Sequence, residues 1–296
     1  MSLFEGSAVA IITPFLGGGI HYELFETLVE WHIQEGTQAI IVAGSTGEGV
    51  TLSNVEKRTL FECAVRVAKG RVPIIANVGS QDTAASIALA KGARRLGVDG
   101  LLAVTPYYNK PNQAGMKAHF EAIASATNLP VILYNVPSRT GVNLAPETLA
   151  ELALHPNIVG VKEAAGDLEQ LKAYRALTPP SFKLYSGNDE LYLKSLALGA
   201  DGVISVVANL EPRNTQAVYT HFKRGQDAQA QRIQEALDRL NEVLYIAPNP
   251  VPVKAALAYA HLATEAVRLP LVPLSAEEKA TLYTVLDALK FEVNGL

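Results

Sequence analysis

Short apolar runs alternate along the chain with longer stretches in which hydrophobic residues recur every three or four positions. The short runs are rich in Val, Ile and Ala, which predicts strands that are buried on both faces. The longer stretches have the period of amphipathic helices. Eight strands are predicted, at residues 8–12, 39–42, 73–77, 100–104, 131–134, 158–162, 183–186 and 202–206.

A helix is predicted after each of these strands, and Ser53 is in position to cap the second of them. Eight such units within residues 1–225 favour a closed (β/α)8 barrel. An open doubly wound sheet is the alternative, but it usually has fewer strands and a phosphate-binding first turn. The Leu-Gly-Gly-Gly segment at 16–19 lacks that glycine spacing and is predicted to be a flexible turn. We therefore predict an α/β fold of the TIM-barrel type.

The strand pattern stops near Gly225, and only helical periodicity follows. Helices are predicted at residues 226–244, 252–259 and 276–291. We therefore expect two domains, which are a catalytic barrel at 1–225 and a small C-terminal helical domain at 226–296.

Composition and charge limit the classes of protein to which this chain can belong. Hydrophobic residues make up 49% of the chain and charged residues 18%, the net charge is −4, and the basic residues are spread out rather than clustered. No nucleic-acid surface is expected from this distribution. The first residues lack the regions of a signal peptide, and no apolar window has the length of a membrane span. We expect a cytoplasmic protein without a membrane partner.

The cysteine and histidine residues provide no candidate for a disulfide or a metal site. The single cysteine, Cys63, excludes an internal disulfide, fits a reducing compartment and is predicted to be a core residue. The six histidines show no metal-binding spacing. We therefore expect neither a metal nor a cofactor.

Lys162 is the strongest candidate for chemistry, because it ends the apolar strand at 158–162. In a barrel, functional side chains gather at the carboxyl ends of the strands. Burial there favours the neutral amine, which attacks carbonyl carbons. The alternative is an ordinary solvated lysine at a strand end.

Other strand ends supply residues that fit a site around this lysine. Ser45 and Thr46 lie in a Gly-Ser-Thr-Gly turn, which is either an anion-binding nest or an ordinary turn. Tyr134, one strand before Lys162, is either a proton relay or a core aromatic. Arg139 offers a fork suited to a carboxylate, and a surface salt bridge is its alternative.

Several motifs together resemble the dihydrodipicolinate synthase family of pyruvate-dependent class I aldolases. They are Gly-Ser-Thr-Gly-Glu at 44–48, Thr-Pro-Tyr-Tyr-Asn-Lys-Pro at 105–111, Tyr-Asn-Val-Pro-Ser-Arg-Thr-Gly at 134–141, Gly-Val-Lys-Glu-Ala at 160–164, Gly-Ala-Asp-Gly-Val-Ile-Ser at 199–205 and Pro-Asn-Pro-Val-Pro-Val-Lys at 248–254. The resemblance runs almost from end to end, with the motifs in the family's order.

The resemblance implies that the chain condenses pyruvate with aspartate semialdehyde. Lys162 would form a Schiff base with the ketone of pyruvate, and the enamine derived from it would attack the aldehyde. Tyr134 would move protons through Ser45 to Tyr108, which would come from a neighbouring subunit. Arg139 would bind the semialdehyde's carboxylate. Thr46, Ile204 and Gly187 would complete the substrate-binding residues, and the assembly would be a homotetramer built from dimers.

Two other functions stay open. One is a lyase or aldolase that acts on a keto sugar acid, since such relatives share the lysine and tyrosine. These relatives resemble the Ser-Arg-Thr stretch at 138–140 poorly, which favours the synthase. Ser45 favours the lyase or aldolase, because the synthases usually have threonine there. Serine keeps the hydroxyl but loses the methyl group that stiffens χ1. The other is an inactive barrel that binds a metabolite.

Regulation by lysine is expected to be weak or absent. Lysine-inhibited relatives carry histidine, asparagine and glutamate where this chain has Lys57, Gln81 and Ala85. The missing carboxylate removes a partner for the ammonium group of a bound lysine, and Lys57 adds like charge.

Overall fold

Eight parallel strands form a closed barrel in the computed structural model, which describes residues 3–289. The predicted (β/α)8 barrel is confirmed. Each strand pairs with its neighbours in chain order, and the first strand closes the barrel against the last. The strands are β1 (Gly6–Ala10), β2 (Ala39–Val42), β3 (Ile74–Asn77), β4 (Gly100–Val104), β5 (Val131–Asn135), β6 (Ile158–Glu163), β7 (Lys183–Ser186) and β8 (Gly202–Ser205).

Helices surround the barrel and continue after it. Ser53 caps the second helix in a capping box with Glu56, as its position predicted. The helices are α1 (Tyr22–Gln34), α2 (Asn54–Ala68), α3 (Thr83–Arg95), α4 (Gln113–Ser125), α5 (Pro137–Thr140), α6 (Pro146–Leu152), α7 (Leu168–Leu177), α8 (Tyr192–Ala197), α9 (Pro212–Lys223), α10 (Asp227–Val243), α11 (Val251–Tyr259) and α12 (Ala276–Ala288). The predicted end of the last helix, at residue 291, lies outside the described residues.

Three local features differ from the sequence-based expectations. The Gly-rich segment at 16–19 is not simply a flexible turn, because Phe15–Leu16 and Gly19–Ile20 pair as a small antiparallel ribbon. The short helix α5 follows β5 directly and was not predicted. The helix predicted after the seventh strand, from the pattern at 190–198, begins with a 3-10 turn at Asp189–Leu191 and continues as α8.

The two-residue period of the strands divides the core into two parts. One face of each strand packs against the helices, where Cys63 is buried as predicted. The other face fills the barrel, and Phe4 stacks on Tyr185 inside it, with ring centroids 4.3 Å apart. The same period directs Tyr134 and Lys162 inward, and their Cα atoms are register partners in neighbouring strands.

The segment after the barrel packs against it as helices. α10 lies beside α9, and α12 contacts both α10 and α11. The assignment of residues 226–296 to a separate domain stays a prediction. Within residues 3–289, no helix has the length and apolarity needed to cross a membrane.

Candidate active site

A cavity of about 100 Å3 lies at the carboxyl ends of the barrel strands. Seven of the predicted site residues line it, namely Ser45, Thr46, Tyr134, Arg139, Lys162, Gly187 and Ile204. Tyr108 does not line it. That residue is 91% exposed and has a φ of 71°, in the left-handed region. A single chain therefore gathers all of the predicted site except this tyrosine.

Lys162 is buried inside the barrel end, with 5% of its surface exposed. Its Nζ lies 4.5 Å from the centre of the Tyr134 ring. Gly187 makes room for the side chain, because a Cβ at that position would lie 2.9 Å from Cε of Lys162. The amine forms no ion pair with any carboxylate of the described chain. It is thus a sheltered amine that faces the cavity.

Glu163 points to the other side of β6 and does not face the cavity amine. Its carboxylate accepts hydrogen bonds from Asn135 at 3.0 Å, Gln170 at 3.0 Å and the backbone N–H of Ala165 at 2.6 Å. Burial raises the pKa of Glu163 in spite of these donors. The residue ties β6 to β5 and α7, and so supports the strand that carries the lysine.

The turn after β2 presents Ser45 and Thr46 to the cavity. A Cβ at Gly49 would lie 2.0 Å from the carbonyl oxygen of Ala43, so this tight turn requires glycine there. The backbone N–H of Gly49 closes the turn by donating to the carbonyl of Gly44 at 3.0 Å. Within residues 3–289, no hydrogen bond joins the hydroxyl groups of Ser45 and Tyr134.

Asn249 is a site residue to which the sequence analysis gave no role. Its Nδ2 donates to Oγ1 of Thr46 at 3.0 Å, and its carbonyl accepts from Nη2 of Arg139 at 3.3 Å. It lies in the segment between α10 and α11 and also lines the cavity. The Pro-Asn-Pro motif at 248–250 was the only signal of its importance. Asn249 therefore holds two predicted substrate-binding residues in one arrangement.

A buried ion pair anchors the same turn to α11. Lys254 Nζ lies 2.6 Å from Oε1 of Glu48, and their side chains are 0% and 1% exposed. Oε2 of Glu48 accepts from the backbone N–H of Arg268 at 2.9 Å. The lysine also lies 4.2 Å from the centre of the Phe15 ring. The pair was not predicted, and it connects the Ser45 turn to the helices after the barrel.

Asp189 is a buried acidic residue for which no role was predicted from the sequence. Its Oδ2 accepts from the backbone N–H groups of Val206 and Val207, at 2.9 and 3.1 Å. Burial raises the pKa of Asp189, and the nearby charge of Lys162 opposes that rise. The carboxyl group thereby fixes the segment that follows Ile204.

A larger cavity of about 280 Å3 adjoins the first and shares Ser45, Tyr134, Arg139 and Asn249 with it. Tyr107 lines this outer cavity, and burial raises its pKa. No cluster of three or more potential metal ligands occurs in the part of the chain that the structure describes. The two cavities together present an amine, three phenols and a guanidinium around a space for small molecules.

Known proteins resemble this chain over nearly its whole length. The Dihydrodipicolinate synthetase family matches residues 3–289. The 4-hydroxy-tetrahydrodipicolinate synthase of Bacillus subtilis is 46% identical over 288 residues, which are 97% of this chain and 99% of that protein.

Solved structures agree with the sequence comparison. A dihydrodipicolinate synthase from Bacillus anthracis is 42% identical with a TM-score of 0.95, covering 97% of this chain and 99% of its own. A chloride-inhibited dihydrodipicolinate synthase from Acinetobacter baumannii, complexed with pyruvate, is 43% identical with a TM-score of 0.94 over 97% and 99% of the two chains. The chain therefore belongs to the dihydrodipicolinate synthetase family.

Proposed function

We propose that the chain condenses pyruvate with L-aspartate 4-semialdehyde to form 4-hydroxy-tetrahydrodipicolinate, through a Schiff base on Lys162. The observation that carries the proposal is the sheltered amine of Lys162, 4.5 Å from the Tyr134 ring, in a cavity at the barrel end. Family membership supports the same reaction. The function belongs to the biosynthesis of diaminopimelate and lysine, and we place it in the cytoplasm.

The chemistry begins with attack of the amine on the ketone carbon of pyruvate, which expels water and leaves a protonated imine. The imine withdraws electrons, so a methyl proton leaves and an enamine forms. The enamine carbon attacks the aldehyde of the second substrate and forms the new carbon–carbon bond. The amino group of that substrate then attacks the imine carbon, which closes the ring and releases Lys162.

The predicted site residues that line the cavity each have a role in this reaction. Tyr134 moves protons between the intermediates, with Ser45 as its neighbour in the relay. Thr46, Gly187 and the backbone at Ile204 position pyruvate. Arg139 binds the carboxylate of the semialdehyde.

Tyr108 completes the relay from the partner subunit in this proposal. Its exposure in the single chain, 91%, leaves it available to a neighbouring copy. We propose a homotetramer built from dimers, in which each dimer completes two sites. Sedimentation analysis that finds an active monomer would contradict this part of the proposal.

The direct test supplies purified protein with pyruvate and aspartate semialdehyde and measures the heterocyclic product. A parallel assay offers a keto sugar acid, such as sialic acid or a 2-keto-3-deoxy acid, and measures release of pyruvate. Turnover of the sugar acid alone would favour the lyase alternative. Failure of pyruvate with borohydride to add mass to the protein would favour an inactive binding barrel.

Replacing Arg139 by alanine should raise the KM for the semialdehyde about 30-fold and leave the KM for pyruvate nearly unchanged. A lost hydrogen bond to a charged group is worth on the order of 2 kcal/mol, which corresponds to that factor. Steady-state kinetics with each substrate varied in turn measures the effect. Arg139→Lys is the matched control, since it keeps the charge but loses the fork. Equal changes in the two KM values would contradict the assigned role.

Lysine at saturating concentration should change turnover by less than about twofold. Lys57 is partly buried, and burial lowers its pKa. Within residues 3–289, no carboxylate forms an ion pair with it. Ala85 provides no carboxylate for the ammonium group of a bound lysine. Strong inhibition in an assay with increasing lysine would show that another part of the chain binds it.

A further inference from the structure

Tyr245 enters the active-site cavity from the segment between α10 and α11. It follows directly after Leu244, the residue that caps the end of α10. Tyr245 lines the same cavity as Lys162 and Arg139. The residue is 49% exposed, so it lies at the rim of the cavity and is partly open to solvent. No role was predicted for it from the sequence.

The hydroxyl of Tyr245 is a hydrogen-bond donor that the rest of the described chain leaves unused. In the described part of the chain, no side-chain or backbone group forms a hydrogen bond with it. Burial raises its pKa well above the ordinary value, and the nearby Asp189 and Glu190 carboxylates add to this effect. The phenol therefore stays protonated and keeps a proton to donate.

The carboxylates near this phenol already accept hydrogen bonds from other groups of the protein. Asp189 already accepts two backbone N–H groups, and Glu190 accepts from Asn188 at 3.0 Å and from Asn241 at 3.3 Å. Arg139 is close enough for its charge to oppose the rise in the pKa of Tyr245. Arg139 and Tyr245 line the same cavity, so an anion that Arg139 binds there lies close to this phenol. A carboxylate has about four acceptor positions, more than one guanidinium can occupy.

We propose that Tyr245 is a second binding residue for the aldehyde substrate, and that its hydroxyl donates a hydrogen bond to the carboxylate that Arg139 also binds. The inference rests on the proposed function, since it concerns the substrate that adds to the pyruvate enamine. It assigns part of the recognition of that substrate to the segment after the barrel.

Tyr245→Phe should raise the KM for aspartate semialdehyde about tenfold, with kcat and the KM for pyruvate changed by less than about twofold. A hydrogen bond to a charged group accounts for a loss of this size. The substitution removes one oxygen and keeps the ring, so the Tm should not change. Tyr283→Phe is the matched control, because Tyr283 is a half-buried tyrosine that packs on Tyr259, with ring centroids 4.7 Å apart. Its kinetics should equal those of the wild type.

Succinate semialdehyde distinguishes the carboxylate from the amino group of the substrate, because it keeps the carboxylate and the aldehyde but lacks the amine. Its competitive inhibition should weaken about tenfold in Tyr245→Phe. Unchanged inhibition together with a raised KM for the natural aldehyde would assign the hydroxyl to the amino group and overturn the inference. Unchanged values for both would overturn it as well. A wild-type protein that fails to condense the two substrates would instead overturn the proposed function, and the inference with it.

Discussion

Lys162→Ala should abolish borohydride trapping of pyruvate and lower kcat by about 10³-fold or more, as expected when a covalent nucleophile is removed. Lys162 is the only lysine among the described residues that line the cavity. No other primary amine there can replace it in forming the imine. Intact-mass measurement after reduction with pyruvate checks the covalent step, and product formation checks turnover.

The matched variant is Lys162→Arg, which keeps a long basic side chain in the cavity but cannot form the Schiff base. It should be as inactive as the alanine variant, and both should retain the (β/α)8 fold by circular dichroism. Lys172→Ala is the surface control, since Lys172 pairs with Glu169 at an exposed position. Trapping that persists in Lys162→Ala, or that disappears in Lys172→Ala, would contradict the proposed mechanism.

The barrel could be predicted because its strands and helices differ in period and alternate along the chain. Parallel strands also place all their carboxyl ends at one mouth, so residues after different strands could be assigned to one site. The register pairs Tyr134 with Lys162, as expected for inward-facing positions at adjacent strand ends. These parts of the site follow from local patterns and from the rule of barrel closure.

The contributions of the segment after the barrel could not be predicted in the same way. Asn249 and Tyr245 lie in a connection between helices, and periodicity does not determine the path of a connection. Tertiary packing, including that of α10 against α9, brings this connection over the mouth. Asn249 then reaches Thr46, which precedes it by 203 positions in the chain. A polar residue in a loop reveals such a long-range partner only once the fold is known.

The unfolding free energy should fall by about 3–5 kcal/mol in Lys254→Ala, the usual loss when one partner of a buried ion pair is removed. Both side chains of the Lys254–Glu48 pair are almost completely buried, and Nζ lies 2.6 Å from Oε1. Removing the lysine leaves the Glu48 carboxylate with the backbone N–H of Arg268 at 2.9 Å and with no ion-pair partner among the described residues. Thermal unfolding should show a lower Tm, by on the order of 10 °C.

A double variant separates loss of the charge pair from loss of packing. Lys254→Met combined with Glu48→Gln removes both charges and keeps similar volumes, so it should recover most of the stability lost in Lys254→Ala. Lys279→Ala is the control, because its ion pair with Glu265 is partly exposed and should contribute less than about 1 kcal/mol.

If Lys254→Ala were no less stable than this control, the buried pair would not anchor the turn. A double variant no more stable than the single one would instead show that the loss comes from the cavity left by the lysine side chain. A double variant that is as stable as the wild type but has a raised KM for pyruvate would indicate that the charges themselves hold Ser45 and Thr46 in position, because these residues lie in the same turn as Glu48.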